Sequence, residues 1–276
     1  MEDNFQIISS LRYDPVLLEV PGRNLSHAGW NWAAPSPLYM LDYHRDRMLR
    51  AAAHWGWDAA VEVLSGETGL KGLAERIMDH IGANEPSPRK VRVVITRDGE
   101  VSVSSGPVPA TPLANLFPTQ LPPPGQSPSS DPSNAALSTA PGYQVLVDGP
   151  QTARSEHTHF KTTKRTPYDG ARQRAQISLP DSKEVLIVNA ADGSVMEASI
   201  ATPYFWRDGR WVTPAVSPEY SADKGNGGQD GTSRRWALER GIAVEGTIPA
   251  ASLVDGEACW LSNGVRGFFY GTITLS

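Results

Sequence analysis

Apolar positions along the chain change their spacing several times, and each change marks an element. Phe5 to Tyr13 alternates apolar and polar residues, which predicts a strand. From Leu41 the interval lengthens: Leu41, His44, Met48, Ala51, Ala52 and Trp55 recur at helical spacing. This predicts a helix with one inward face, closed by Gly56. Leu70, Leu73, Ala74, Ile77, Met78 and Ile81 make a second amphipathic stripe. VRVVIT, the Asp98-Gly99 pair and EVSVS then read as a hairpin, because Asp-Gly supplies the positive φ of a tight turn.

The second half is patterned differently. YQVLVD predicts a short strand, and Pro167 opens a helix running through Arg174, since proline fits the first helical turn. EVLIVN (184–189) and VMEAS (195–199) flank Ala191-Asp192-Gly193 as a second hairpin, and YFWR and RWVTP flank Asp208-Gly209 as a third. GNGGQDG leads into a helix from Thr232, closed by Gly241, and 258–275 is again strand-like. Antiparallel hairpins mixed with a few helices predict an α+β fold, not a doubly wound parallel sheet.

Between the halves the composition breaks. Ser104 to Pro141 contains ten of the 23 prolines, and its only charge is Asp131. Such a stretch favours polyproline II or coil. The expected organisation is a small N-terminal domain over 1–103, a Pro-rich linker or insertion over 104–141, and a larger domain over 142–276. The linker is either a passive spacer or a partner-docking segment.

Charge and cysteine content narrow the classes. Twenty-five Lys plus Arg against thirty Asp plus Glu leave a net charge of −5, which argues against a nucleic-acid or anionic-membrane partner. Cys259 is the single cysteine, so there is no internal disulfide and no Cys-rich zinc module; it reads as a small core residue. No apolar run approaches the roughly 18 residues of a membrane span, and the acidic start MEDNFQIISS lacks the features of a signal peptide. A soluble, cytoplasmic protein is expected.

Three features suggest chemistry. Lys161 follows Phe160 and precedes the polar run TTKRTPYDGAR. Neighbouring cations and partial burial lower a lysine's pKa and make it a Schiff-base nucleophile; the alternative is a solvated lysine in a basic loop. Glu197 sits inside the apolar strand VMEASIA, where a carboxylate is costly unless paired; the alternative is a solvent-facing position. GGQDGTSRR brings glycines to a helix start at Thr232 and Ser233, an arrangement able to bind phosphate but common in loops generally. Lysine, carboxylate and phosphate cradle are the parts that pyridoxal 5'-phosphate needs. His157 and His159, two apart, would share a face on a strand; no third metal ligand lies near them, and no metal is expected.

With these residues in place, the sequence resembles the fold type IV (class IV) pyridoxal-phosphate enzymes, the branched-chain and D-amino-acid aminotransferases and 4-amino-4-deoxychorismate lyases. His44-Arg45-Asp46-Arg47-Met48 is similar to the family's first-helix segment, which implies Arg47 as a ligand of the cofactor phosphate. Phe160-Lys161-Thr162-Thr163-Lys164-Arg165 and Tyr168-Asp169-Gly170-Ala171-Arg172 resemble the segment carrying the Schiff-base lysine, here Lys161. Met196 to Thr202 resembles the segment whose glutamate faces the pyridine nitrogen, here Glu197. Gly231-Thr232-Ser233-Arg234 resembles the phosphate turn, and Ser262-Asn263-Gly264-Val265-Arg266-Gly267 a late loop lining the same site. Cofactor contacts from Thr232, Ser233, Ser262 and Asn263 follow from the resemblance, as does a homodimer.

FKTTKRxxYDxAR is most similar to the fungal-type aminodeoxychorismate lyases. The resemblance therefore implies a lyase that converts 4-amino-4-deoxychorismate to 4-aminobenzoate and pyruvate, a step toward folate. The alternative is an aminotransferase on a D- or branched-chain amino acid. Thr166 stands where aminotransferases often carry tyrosine, which favours the lyase. A non-catalytic protein that kept the fold is a third possibility. A dicarboxylate substrate calls for cationic groups, and Arg12 and Arg97 are candidates because guanidinium binds carboxylate bidentately. The alternative for both is an arginine at a strand end.

Overall fold

The computed structural model describes residues 5–125, 137–178, 180–224 and 226–275. They form two compact units, and the chain passes between them more than once. Unit 1 comprises the chain up to Thr111 together with Phe160–Lys164, and unit 2 comprises Pro112–His159 and the chain from Arg165 onward. The lysine-bearing segment thus belongs to the N-terminal unit, although it lies within 142–276.

Unit 1 is built on three antiparallel strands, β1 (Ile7–Tyr13), β2 (Arg89–Ile95) and β3 (Val101–Pro107), in that spatial order. Ile7 lies opposite Ile95 and Ser9 opposite Val93, and the register runs unbroken to Tyr13 and Arg89. The helices α1 (Trp30–Ala33), α2 (Leu41–His54), α3 (Asp58–Leu64) and α4 (Gly66–Ile81) come between β1 and β2 in the chain. α2 buries the face its spacing predicted, and its His44, Met48, Ala51 and Ala52 are enclosed. α3 was not expected; its seven residues are too few to display a helical period. The second edge of β1 is met at its Tyr13 end by Leu38 and at its start by the lysine segment. Ile8 N donates to Lys161 O at 3.0 Å and Thr163 N to Gln6 O at 2.9 Å, and Gln6 N donates to Thr163 Oγ1 at 3.0 Å.

Unit 2 carries α5 (Leu113–Leu116), β4 (Tyr143–Val147), α6 (Glu156–His159), α7 (Thr166–Arg174), β5 (Lys183–Val188), β6 (Val195–Ala198), β7 (Thr202–Arg207), β8 (Arg210–Pro214), α8 (Thr232–Glu239), β9 (Val244–Gly246), β10 (Ala258–Asn263) and β11 (Gly267–Thr274). The strands form one mixed sheet in the order β6-β5-β4-β11-β10-β7-β8-β9. β4 runs parallel to both β5 and β11, and β9 parallel to β8; the other pairs are antiparallel. Val195 N of β6 donates to Ile248 O, just past β9, so the sheet curls until its two edges meet. A core of Val145, Leu186, Phe205, Leu261, Phe269 and Ile273, among others, fills one side. A smaller core of Tyr168, Ala171, Val185, Ile187 and Met196 packs α7 against β5 and β6.

The Pro-rich stretch is not only a connector. β3 extends into it as far as Pro107, and Asn115, Leu116, Phe117 and Leu121 are buried in unit 2. Trp211 Nε1 donates to Leu121 O at 2.9 Å, and Phe117 packs against Trp236. Apolar residues spaced as Leu113, Leu116, Phe117 and Leu121 have an inward face that an uncharged, proline-rich composition conceals. Residues 126–136 of the expected linker lie outside the described residues. His157 and His159 lie on α6, a single helical turn, so they do not share a strand face; the described residues hold no cluster of three or more metal-ligating side chains.

Asn115 is the tie of this segment. Its amide nitrogen donates to Ser138 O and Phe268 O, both at 2.9 Å, and its Oδ1 accepts from Ser138 N. Gly267, at φ 66°, passes so close that a Cβ there would lie 2.4 Å from Asn115 O. Asn115→Ala removes three hydrogen bonds and leaves a buried carbonyl unanswered, at a net cost of about 2–4 kcal/mol. Denaturant unfolding of the variant should show a lower midpoint, with little change in slope; an unchanged midpoint would mean that the segment is dispensable to unit 2.

Candidate active site

Unit 1 gathers one set of functional side chains. Ser9 on β1 and His44 on α2 are fully buried, and Ser9 Oγ lies 2.7 Å from His44 Nδ1. Arg47, one helical turn after His44, donates from Nη2 to the same Ser9 Oγ at 2.7 Å. His44 is held well below the usual histidine range, first by its burial and then by the positive charges of Arg47 and Lys161. Arg47, His44 and Lys161 therefore share one electrostatic neighbourhood, in which Lys161 is half-buried. Phe160, next to Lys161, is clamped by the rings of His54 at 4.5 Å and Trp55 at 5.0 Å, which fixes the segment on unit 1.

Unit 2 gathers a second set around Glu197. The residue lies opposite Ile187 on β5 and is only 8% exposed, so it is not on a solvent face. Its Oε1 accepts from Tyr168 OH at 2.6 Å and from Gln229 N at 3.2 Å. Tyr168 is buried in the α7 core, and burial followed by the charge of Glu197 pushes its phenol well above the usual range. It is a permanent neutral donor. Close behind lies a second buried carboxylate, Glu184, whose pKa is raised by burial; Ser199 Oγ donates to it, and Arg172 stands 3.9 Å away.

The glycine loop before α8 owes its composition to this strand. A Cβ on Gly228 would lie 2.5 Å from Met196 O, and one on Gly227 2.4 Å from the Arg154 side chain. Both glycines let the loop close onto β6, so that Gln229 N reaches Glu197. Gly231 abuts the Thr202 hydroxyl in the same way, at 2.8 Å for a built Cβ. α8 then begins with Thr232 and Ser233, whose early N–H groups have no acceptor within the helix. Ser233 Oγ and Tyr204 OH each lie 2.8 Å from Ser262 Oγ, giving a buried chain of three hydroxyls that ends at the helix start. Burial raises the Tyr204 phenol, so it too stays neutral.

The other expected residues have different surroundings. Arg12 is buried against Asp14, with Nη2 at 2.6 Å, and also donates to Pro109 O at 2.9 Å, so a carboxylate already answers its charge. Strand alternation puts it on the opposite face of β1 from Ser9. Arg97 is exposed in the turn after β2. Asn263 builds the β10–β11 turn: its Oδ1 accepts from Val265 N and Arg266 N, and its amide donates to Ile200 O. Sequence reasoning did not single out Ser9, Tyr168, Gln229 or Tyr204. Only Ser9 left a signal, as a polar residue within a buried run.

A pyridoxal phosphate fits the chemistry of these donors. Glu197 offers a buried carboxylate for a protonated ring nitrogen. α8 and its hydroxyls offer neutral donors for a phosphate, and Arg47 offers a cation.

Comparison with known proteins agrees. The amino-transferase class IV family matches residues 29–270. An aminodeoxychorismate lyase of Saccharomyces cerevisiae is 28% identical over 213 residues, 69% of this chain and 53% of that protein. The chain thus spans about half the length of that relative. A provisionally named aminodeoxychorismate lyase of Schizosaccharomyces pombe is 25% identical over 243 residues, 86% of this chain and 85% of that one. A crystal structure from Mesorhizobium loti, of a provisionally assigned amino-acid aminotransferase, superposes with a TM-score of 0.63 at 19% identity, covering 98% of this chain and all of that one.

The depressed pKa of His44 carries a stability consequence. The folded protein resists protonating this ring, whereas the unfolded chain protonates it near the ordinary value of about 6.5. The neutral ring's contribution is complete above that value and is lost as pH falls toward the folded pKa. As pH falls through about 6, wild type should lose stability faster than His44→Asn does. Denaturant titrations of the two proteins at several pH values check this; parallel curves would show that His44 titrates normally.

Proposed function

Because the chain belongs to the amino-transferase class IV family, whose members depend on pyridoxal phosphate, we propose that it is the lyase that splits 4-amino-4-deoxychorismate into 4-aminobenzoate and pyruvate. The observation that carries the cofactor half of this proposal is Glu197, a buried carboxylate held by Tyr168 and Gln229 inside an apolar sheet. For the choice of lyase, support comes from the two fungal relatives and from Thr166 in place of the tyrosine common in aminotransferases.

When bound, the cofactor supplies a protonated ring that draws electron density from the carbon bearing the substrate amine. Glu197 keeps the ring nitrogen protonated, and Tyr168 keeps Glu197 oriented. Lys161 would hold the cofactor through Nζ and would be free to move protons once substrate is bound. Its Nζ then removes the proton from the amine-bearing carbon. The ether bond to the three-carbon group breaks and the six-membered ring becomes aromatic. Lys161 Nζ returns a proton to the methylene carbon of the departing group, which leaves as pyruvate. Arg47, Thr232, Ser233 and Ser262 bind the phosphate and prevent the cofactor from tilting during the transfer.

The deciding experiment is incubation with 4-amino-4-deoxychorismate and no keto acid. Pyruvate and 4-aminobenzoate should appear together in equal amounts. Product that requires added 2-oxoglutarate would make the protein an aminotransferase.

Lys161→Ala removes both the attachment point and the proton carrier, and turnover should fall by several orders of magnitude while the unfolding midpoint stays near wild type. Retention of more than about a tenth of wild-type turnover would move the attachment to another lysine, Lys164 first.

Glu197→Gln keeps the shape and removes the charge. The value of kcat should fall far more than cofactor affinity does, because the lost interaction matters most once the ring has taken up electron density. Wild-type kcat with cofactor bound would take Glu197 out of the mechanism.

A further inference from the structure

Arg47 is not a lone cation on a helix. Its Nη2 can only donate, so Ser9 Oγ must accept from it, at 2.7 Å. Ser9 then has one proton of its own and one other partner, His44 Nδ1, also at 2.7 Å. That fixes the polarity of the whole chain: Arg47 donates to Ser9, Ser9 donates to His44 Nδ1, and His44 carries its own proton on Nε2. Only a neutral ring can terminate the chain, since an imidazolium is a donor at both nitrogens. The three residues come from two elements, β1 and α2, and Ser9 and His44 are both sealed from solvent.

We propose that Ser9 and His44 are positioning residues that fix the guanidinium of Arg47 for a phosphate monoester, through the one-way hydrogen-bond chain Arg47 to Ser9 to His44. This rests on the assignment above of Arg47 to the cofactor phosphate. An arginine on a helix surface samples many rotamers, and ordering it at the moment of binding weakens affinity. Ser9 orders it beforehand. One Nη2 hydrogen is committed to the strand, which orients the planar group. His44 in turn stops the Ser9 hydroxyl from rotating its proton toward Arg47, where donor would face donor.

The test compares two ligands that differ only in the phosphate, pyridoxal 5'-phosphate and pyridoxal, binding to the full-length protein freed of cofactor. Affinity is read from the quenching of tryptophan fluorescence, with no turnover needed. Ser9→Ala and His44→Leu should each weaken pyridoxal phosphate about ten-fold and leave pyridoxal unchanged. His44→Asn, whose side-chain oxygen can accept from Ser9 where Nδ1 did, should stay within about three-fold of wild type. Ser9→Ala with wild-type affinity for both ligands, or with equal losses for both, would overturn the proposal. Should His44→Leu fail to fold, Ser9→Ala and His44→Asn still decide the matter. Arg47→Ala separates this proposal from its premise. If that variant loses the preference for the phosphorylated ligand and Ser9→Ala does not, only the chain is refuted. If Arg47→Ala keeps the preference, the phosphate assignment itself falls.

Discussion

A carboxylate inside an apolar sheet has to be answered by donors, and in unit 2 much of the architecture serves that requirement. Transfer of an unpaired ionised group out of water is prohibitive, so Glu197 exists at this position only because α7 brings Tyr168 and the 226–231 loop brings Gln229 N–H. Each partner imposes its own condition. Tyr168 needs Ala171 and Met196 beside it to keep its ring enclosed. Gln229 needs Gly227 and Gly228, since side chains there would collide with Arg154 and with the backbone of β6. The loop that satisfies the carboxylate also delivers Gly231 and the start of α8.

Unit 1 solves a complementary problem with positive charge. Arg47 and Lys161 act on the same buried imidazole, and His44 accommodates them by staying neutral. The same neutrality permits His44 to accept from Ser9.

Much of this was legible in the sequence where two independent signals coincided. The α2 stripe came with a glycine stop, the β2–β3 hairpin with Asp98-Gly99, and α7 with Pro167 in its first turn. Glu197 stood out because a carboxylate is costly inside an apolar strand, and Lys161 because it follows Phe160 and is joined by neighbouring cations. Partners from distant segments did not stand out. Tyr168 lies 29 residues from Glu197 and Tyr204 58 from Ser262, and spacing along a chain says nothing about such approaches. The glycines of 227–231 were visible as a possible phosphate loop, but their tight neighbours were not: the side chain of Arg154 at 227 and the backbone of β6 at 228. Arg12 illustrates the opposite limit. A guanidinium suited to a carboxylate was correctly recognised, but the carboxylate is Asp14, two residues away.

One consequence concerns the order in which the molecule is made. β2 follows β1 out of the ribosome within about a hundred residues, and the chain at 37–39, which meets the Arg12–Tyr13 end of the other edge, follows sooner still. The start of that edge, at Gln6 and Ile8, is covered only by Lys161 to Thr163, which emerges roughly 150 residues later, about 10–30 s at ordinary elongation rates. Throughout that interval the start of the edge is an open template, of the kind that pairs with neighbouring nascent chains. The segment bearing Lys161 is the one that ends this exposure, so a truncated product lacking it leaves that stretch uncovered. It keeps an adhesive strand, and a cell that accumulates such fragments would meet them as aggregates.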